Sequence, residues 1–247
     1  DEIRKARALS NGVIGVNILA ALSNFEDLAR TSAQEGADYI ISGAGLPLKL
    51  PEYAEGSSTK LIPIVSSARV ASLISKTWYK RYNRIPDAFV VEGPLAGGHL
   101  GFSREEIMLE HEGRLEELVL EVLEVAREAE KSWGQPIPVI AAGGIYDGAD
   151  IARFFKLGAR GVQMGTRFVV TNECTVPEAF KKMYIEATDE DIVLIDSPGG
   201  LPGRALKNAF IEKIMRGEKQ KVVCRFKCLK TCSPATAPYC IARALIN

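Results

Sequence analysis

Val139-Ile140-Ala141-Ala142-Gly143-Gly144 and Gly161-Val162-Gln163-Met164-Gly165-Thr166 are two short apolar runs, each passing into glycine, with one helix-length segment between them. Runs of this length and composition, bounded by turn formers, read as strands buried on both faces of a parallel sheet. Pro136 and Pro138 start the first run, and a helix over about 148–156, stopped by Gly158, leads to the second. Consecutive strands ending in glycine place backbone N–H groups at one end of a sheet. In parallel barrels a phosphate is frequently held there, by the loops after strands seven and eight.

Further strands lie upstream at about 13–18, 38–42, 61–65 and 87–91. Helices separate them: one over about 25–34, capped by Asn24, and one over about 67–82 with Val70, Leu73, Ile74 and Trp78 on one face. A third helix carries Leu115, Leu118, Val119, Val122, Leu123 and Ala126 at helical spacing. Residues 1–9 read as the end of a helix. Repeated strand–helix units with short connections require a parallel sheet with right-handed crossovers. An open doubly wound sheet and a TIM (β/α)8 barrel both satisfy that rule, and the paired glycine endings favour the barrel. Counted backward from those endings, the barrel lacks its first two strands in this chain, an expectation with which the absence of an initiating Met agrees. The expected division is an N-terminally incomplete barrel domain over 1–216 and a Cys-containing tail over 217–247.

The stretch after the fourth run, Val90-Val91-Glu92-Gly93-Pro94-Leu95-Ala96-Gly97-Gly98-His99-Leu100-Gly101-Phe102, holds too many turn formers for a regular element. Its imidazole, His99, is one of 2 histidines in the chain and is the candidate reactive group. The other, His111, stands among Glu110, Glu112 and Arg114 and reads as a solvated surface residue. Beyond the glycine runs, a helix starting at Val176-Pro177-Glu178 turns Phe180, Met183 and Tyr184 inward, and 192–195 is an extra strand. Ser197 to Arg204 reads as a stiff loop before a helix bearing Leu206, Phe210 and Ile214.

The chain has 247 residues, with 31 basic and 31 acidic side chains, so no charge footprint points to nucleic acid or an anionic membrane. No run reaches the length of a membrane span. Of 5 cysteines, Cys224, Cys228, Cys232 and Cys240 crowd near the end, a pattern of reduced cytoplasmic thiols rather than of a secreted disulfide framework. On a helix, Cys224, Cys228 and Cys232 would align, and with Cys240 they make four potential ligands for zinc or an iron–sulfur cluster. Their spacing matches neither zinc ribbons nor the common ferredoxin run, so free thiols are the default and no metal is assigned. Lys221, Arg225, Lys227 and Lys230 surround them. No function is read for Cys174.

Ala96-Gly97-Gly98-His99-Leu100-Gly101, Ala141-Ala142-Gly143-Gly144-Ile145 and Gly161-Val162-Gln163-Met164-Gly165-Thr166-Arg167-Phe168, in this order, resemble the nitronate monooxygenase (2-nitropropane dioxygenase) family of FMN-dependent barrels. The flavin-dependent enoyl-ACP reductases belong to the same superfamily. The resemblance runs from about residue 11 to 216. It implies FMN held without a covalent bond, with Asn17 at the flavin ring and Gly143, Gly144, Gly165 and Thr166 at the phosphate. Gly97, Gly98, Ala142 and Gln163 complete the implied cofactor site. His99 would be the catalytic residue, taking the α-proton of a nitroalkane or orienting a nitronate, with oxygen as the electron acceptor. The implied partners are thus a small substrate and oxygen, with a homo-oligomer left open. Where the family commonly has an acidic residue before Ala-Gly-Gly-His, this chain has Leu95, which makes the substrate pocket more apolar. The rival readings are an NAD(P)H-dependent enoyl-ACP reductase and a non-catalytic barrel that binds a phosphate ligand.

Overall fold

The computed structural model describes residues 1–109, 113–218, 220 and 222–246. The main sheet is built from β1 (Gly15–Leu19), β2 (Tyr39–Gly43), β3 (Lys60–Val65) and β4 (Phe89–Glu92), then β6 (Val139–Ala142) and β7 (Gly161–Gln163). The two-residue β5 (Gly98–His99) lies between them in sequence and belongs to a second sheet. Every pairing in the main sheet is parallel, and the spatial order β1-β2-β3-β4-β6-β7 is the order of the sequence. A doubly wound sheet reverses its order part-way so that helices cover both faces. An unreversed order sends every right-handed crossover to the same face, which is how a barrel is wound. The six strands form an arc of a TIM barrel, with β1 and β7 at its edges among the described residues.

Alternation along the strands separates the two faces. Ile18, Ile40, Leu61, Val65, Phe89, Val91, Val139 and Ala141 point outward, into a core shared with the crossover helices. The helices before β7 are, in chain order, α1 (Glu2–Leu9), which precedes the sheet and buries no residue, α2 (Phe25–Gln34), α3 (Leu50–Tyr53), α4 (Ala68–Tyr82), α5 (Arg104–Met108), whose Ile107 belongs to a separate small cluster, α6 (Arg114–Trp133) and α7 (Gly148–Leu157). Trp78 of α4 is fully buried in this core and donates its indole N–H to the Pro47 carbonyl at 3.1 Å. Tyr39, Ile41, Ile62, Ile64, Val90, Ile140 and Ala142 take the alternate positions and make a separate cluster on the concave side.

Local chemistry fixes the ends of the helices. Ser67 accepts from the Val70 N–H at the start of α4, and Asn83, at φ +48°, closes it in the left-handed conformation. Asp147 and Asp150 form a capping box on α7. Asn24 precedes α2 as expected, but its side chain makes no cap hydrogen bond. Leu73 lies on the exposed side of α4, 45% accessible, rather than on the buried face with Ile74 and Trp78.

After β7 the chain runs through α8 (Thr166–Val169), α9 (Glu178–Glu186), β8 (Ile192–Asp196), β9 (Pro202–Leu206), α10 (Ala209–Met215) and α11 (Ile241–Ile246). Phe180 of α9 is exposed, and Lys181, ion-paired with Glu178, occupies the buried position instead. The segment expected as a loop up to Arg204 contains part of β9, which pairs antiparallel with β8 on one side and β5 on the other. Leu206 therefore belongs to a strand, not to the following helix, and the histidine stretch contains a short strand. The cysteine segment 222–238 is irregular rather than helical. Lys227 has φ +45°, and Leu229 forms an antiparallel bridge with Leu22, both incompatible with a continuous helix. His111 and Lys221 lie outside the described residues. Among the described residues no helix is long and apolar enough to cross a membrane.

Candidate active site at the carboxyl end of the sheet

Ala142 stands opposite Gln163 in the ladder of β6 and β7, so the two glycine turns leave adjoining strands at the same end. Arg167 ties them together, its guanidinium carbon 4.6 Å from the centroid of the Tyr146 ring. Gly143 and Gly144 have φ of +93° and +77°, a region that disfavours any side chain. A Cβ at Gly143 would stand 3.0 Å from the Ala96 amide nitrogen and 3.1 Å from the Gly93 carbonyl oxygen. This glycine thus turns the chain and admits the 93–96 loop against it. Around Gly165 the space a Cβ would fill is open. Among the described residues no loop or cap hydrogen bond uses the N–H of Gly143, Gly144, Gly165 or Thr166, which leaves donors at this end of the sheet.

The loop after β4, next to β6, carries Gly97, Gly98 and His99. Gly98 has φ +76°, and both glycines are exposed. The loop is fixed on each side of the imidazole. Ala96, Leu100 and Ile107 form a small buried cluster, Leu100 N–H donates to the Pro202 carbonyl at 2.9 Å, and Ser66 Oγ donates to the Gly101 carbonyl at 2.9 Å. In the second sheet His99 pairs with Gly203, which brings the β8–β9 turn onto the ring. There Ser197, itself buried, places Oγ 2.5 Å from His99 Nε2 and accepts from the Gly199 N–H at 3.1 Å. Burial holds the His99 pKa below its ordinary value, so the imidazole is neutral near pH 7.

Asn17 lies on β1 opposite Ile41, on the concave face and exposed. It shares that face with Ala142 and Gln163 but stands at the other edge of the arc. One residue of this face was not singled out by the sequence reading. Glu92 ends β4 opposite Ala142, in phase with inward-facing Val90, and burial alone pushes its carboxyl up to about 7. The signal was present: an acidic residue at the carboxyl end of a barrel strand, in register with an inward position, is where functional groups collect. The cysteines Cys224, Cys228, Cys232 and Cys240 are all free and line a cleft of their own.

A family model described as nitronate monooxygenase matches residues 1–244. The (3aS,4S,5R,7aS)-5-hydroxy-7a-methyl-1-oxo-octahydro-1H-indene-4-carboxyl-CoA dehydrogenase of Mycobacterium tuberculosis is 30% identical over 219 residues, 89% of this chain and 55% of that protein. A probable nitronate monooxygenase of Staphylococcus aureus is 35% identical over 133 residues, 53% of this chain and 35% of that protein. Among solved structures, FabK from Thermotoga maritima aligns with a TM-score of 0.70 at 32% identity, covering 87% of this chain and 61% of its own. Nitroalkane oxidase from Streptomyces ansochromogenes shares the fold, with a TM-score of 0.66 at 22% identity over 86% of this chain and 66% of its own. The chain spans about half the length, or less, of the curated relatives it matches. The parallel arc, the glycine turns at its carboxyl end and the match over 1–244 place the chain in the nitronate monooxygenase family of flavin-dependent oxidoreductases.

Proposed function

We propose that this chain carries the FMN-binding part of an enzyme that oxidises alkyl nitronates and nitroalkanes with molecular oxygen. The observation that carries the reading is one conjunction: backbone donors at Gly143, Gly144, Gly165 and Thr166 with no loop or cap partner among the described residues, and a half-buried imidazole on the neighbouring loop. The residues present fit a flavin phosphate. It is a dianion, and N–H groups from two adjoining turns, with the Thr166 hydroxyl, would hold such a group without a lysine. Ala142, Gln163 and Asn17 on the concave face, with Gly97 and Gly98 leaving room above it, would hold the ring system. Bound FMN supplies electron acceptance and their transfer to oxygen.

His99 handles the proton. In the tautomer in which Nε2–H donates to Ser197 Oγ, the lone pair on Nδ1 takes the acidic α-proton of a nitroalkane. Ser197, held in turn by the Gly199 N–H, orients the ring. Leu95, exposed beside the loop, gives the substrate an apolar wall. Nitronate-dependent oxygen uptake by the purified full-length protein, without NADH, is the expected result. Absence of uptake on nitronates of several chain lengths by flavin-loaded protein would refute the proposal. A second reading, oxidation of a hydroxylated acyl-CoA, is favoured by the dehydrogenase relative that spans 89% of the chain. Anaerobic flavin bleaching by such a thioester but not by a nitronate would select it.

A further inference from the structure

Four of the five cysteines meet at one place that the oxidoreductase reading does not use. Cys224, Cys228, Cys232 and Cys240 line a cleft of about 650 Å³, with Val222, Leu229, Pro234 and Ile241 as apolar walls. None is in a disulfide, and Cys228, Cys232 and Cys240 are half-buried. All four line this one cleft, which brings them to the same place in the fold. Lys227 lines the same cleft.

We propose that Cys224, Cys228, Cys232 and Cys240 ligate an iron–sulfur cluster seated in this cleft. Among the described residues no group of three or more His, Cys, Asp or Glu side chains is placed to hold a metal ion as the side chains stand, so ligation requires these thiols to move. A tetrahedral zinc site would need its sulfurs about 3.8 Å apart, given Zn–S bonds of about 2.3 Å. Four thiols lining one apolar cleft suit a polynuclear cluster, which takes four cysteine thiolates and a sheltered pocket. The segment bearing them is irregular, so small backbone shifts bring the sulfurs to the cluster without breaking a helix. Ligation replaces the thiol protons, which leave to solvent, and relieves the crowding of four groups that repel once ionised.

The cluster would also hold the tail against the active-site loops. Cys228 offers its carbonyl to the Ser23 N–H at 3.0 Å, and Lys230 N–H donates to Ala21 at 3.0 Å, both in the loop after β1. Thr231 Oγ donates to the Gly199 carbonyl at 2.8 Å, beside the Ser197 that touches His99. Cys228 and Cys232 bracket these contacts, so a cluster on them clamps the β1 loop to the serine turn.

The test is iron and acid-labile sulfide analysis of the full-length protein, purified without oxygen and reconstituted with ferrous iron and sulfide. Flavin is assayed separately after heat release, so a failure here is distinct from a failure of the flavin reading. About four irons and four sulfides per chain are expected, with an electron paramagnetic resonance signal after dithionite reduction. Cys228→Ser and Cys240→Ser should each lose most of the iron while the flavin stays, and Cys174→Ser should keep both. One zinc per chain, or no metal with all four tail thiols open to alkylation in the native protein, would overturn the assignment.

Discussion

Substituting Glu92 by Gln tests the physical reading of the concave face without relying on turnover. Its carboxyl rises from an ordinary value of 4.5 to about 7 because burial disfavours the anion. The folded protein therefore holds this proton in a range where the unfolded chain has released it. Below pH 4.5 both states are protonated and the site contributes nothing. As pH rises from 4.5 to 7 the wild-type fold loses stability, by at most about 3.5 kcal/mol, and above 7 the loss is constant. Gln is neutral throughout and of nearly the same shape. Urea unfolding of wild type and Glu92→Gln at pH 5, 6 and 8 reads the difference directly. The variant should be little more stable at pH 5 and more stable by about 2–3 kcal/mol at pH 8. The difference between the two proteins isolates this carboxyl from all other titrations. A difference that does not change between pH 5 and 8 would refute the argument that Glu92 is desolvated.

His99→Ala should keep flavin and lower nitroalkane turnover by about 10²–10⁴, with a smaller loss on preformed nitronates, in steady-state assays of both forms. Equal losses would mean that the imidazole positions the anion. Because burial holds the His99 pKa below its ordinary value, the base limb of kcat/KM on nitroalkanes should fall below pH 6.5; a limb above 7 would contradict this. Ser197→Ala removes the partner of Nε2 and should lower the same rate about tenfold, the worth of one hydrogen bond in the transition state, while flavin content is unchanged. Gly143→Ala forces a Cβ against the Ala96 and Gly93 backbone at a positive φ; a loss of about 2 kcal/mol or more in unfolding experiments and weaker FMN retention are expected.

The parallel arc was legible because its strands are covered outside by helices and inside by their neighbours, so each is a compact apolar run. The same runs placed the glycine turns on adjoining strands, which the ladder of β6 and β7 bears out. The second sheet was not legible, since β5 is two residues long and finds β9 from about a hundred residues away. Pairing at that range leaves no periodic trace, and the contact of Ser197 with His99 depends on it. Glu92 was passed over because an acidic residue before Gly-Pro reads equally well as the start of a turn. Only its register against Ala142 shows that it faces inward. In the tail, a spacing of four between cysteines suggested a helix, but no apolar face of matching period supports one there. The bridge of Leu229 to Leu22 prevails instead.

The central claim, that the glycine turns of β6 and β7 hold the phosphate of FMN, is tested most directly by titrating flavin-stripped full-length protein with FMN and with riboflavin. The two ligands share a ring and differ in the phosphate, and flavin fluorescence reports both affinities. With several charge-assisted N–H donors committed to the dianion, FMN should bind about 100-fold tighter than riboflavin or better. In Gly143→Ala that advantage should shrink toward parity. Equal affinity for the two flavins in the wild type would contradict the account.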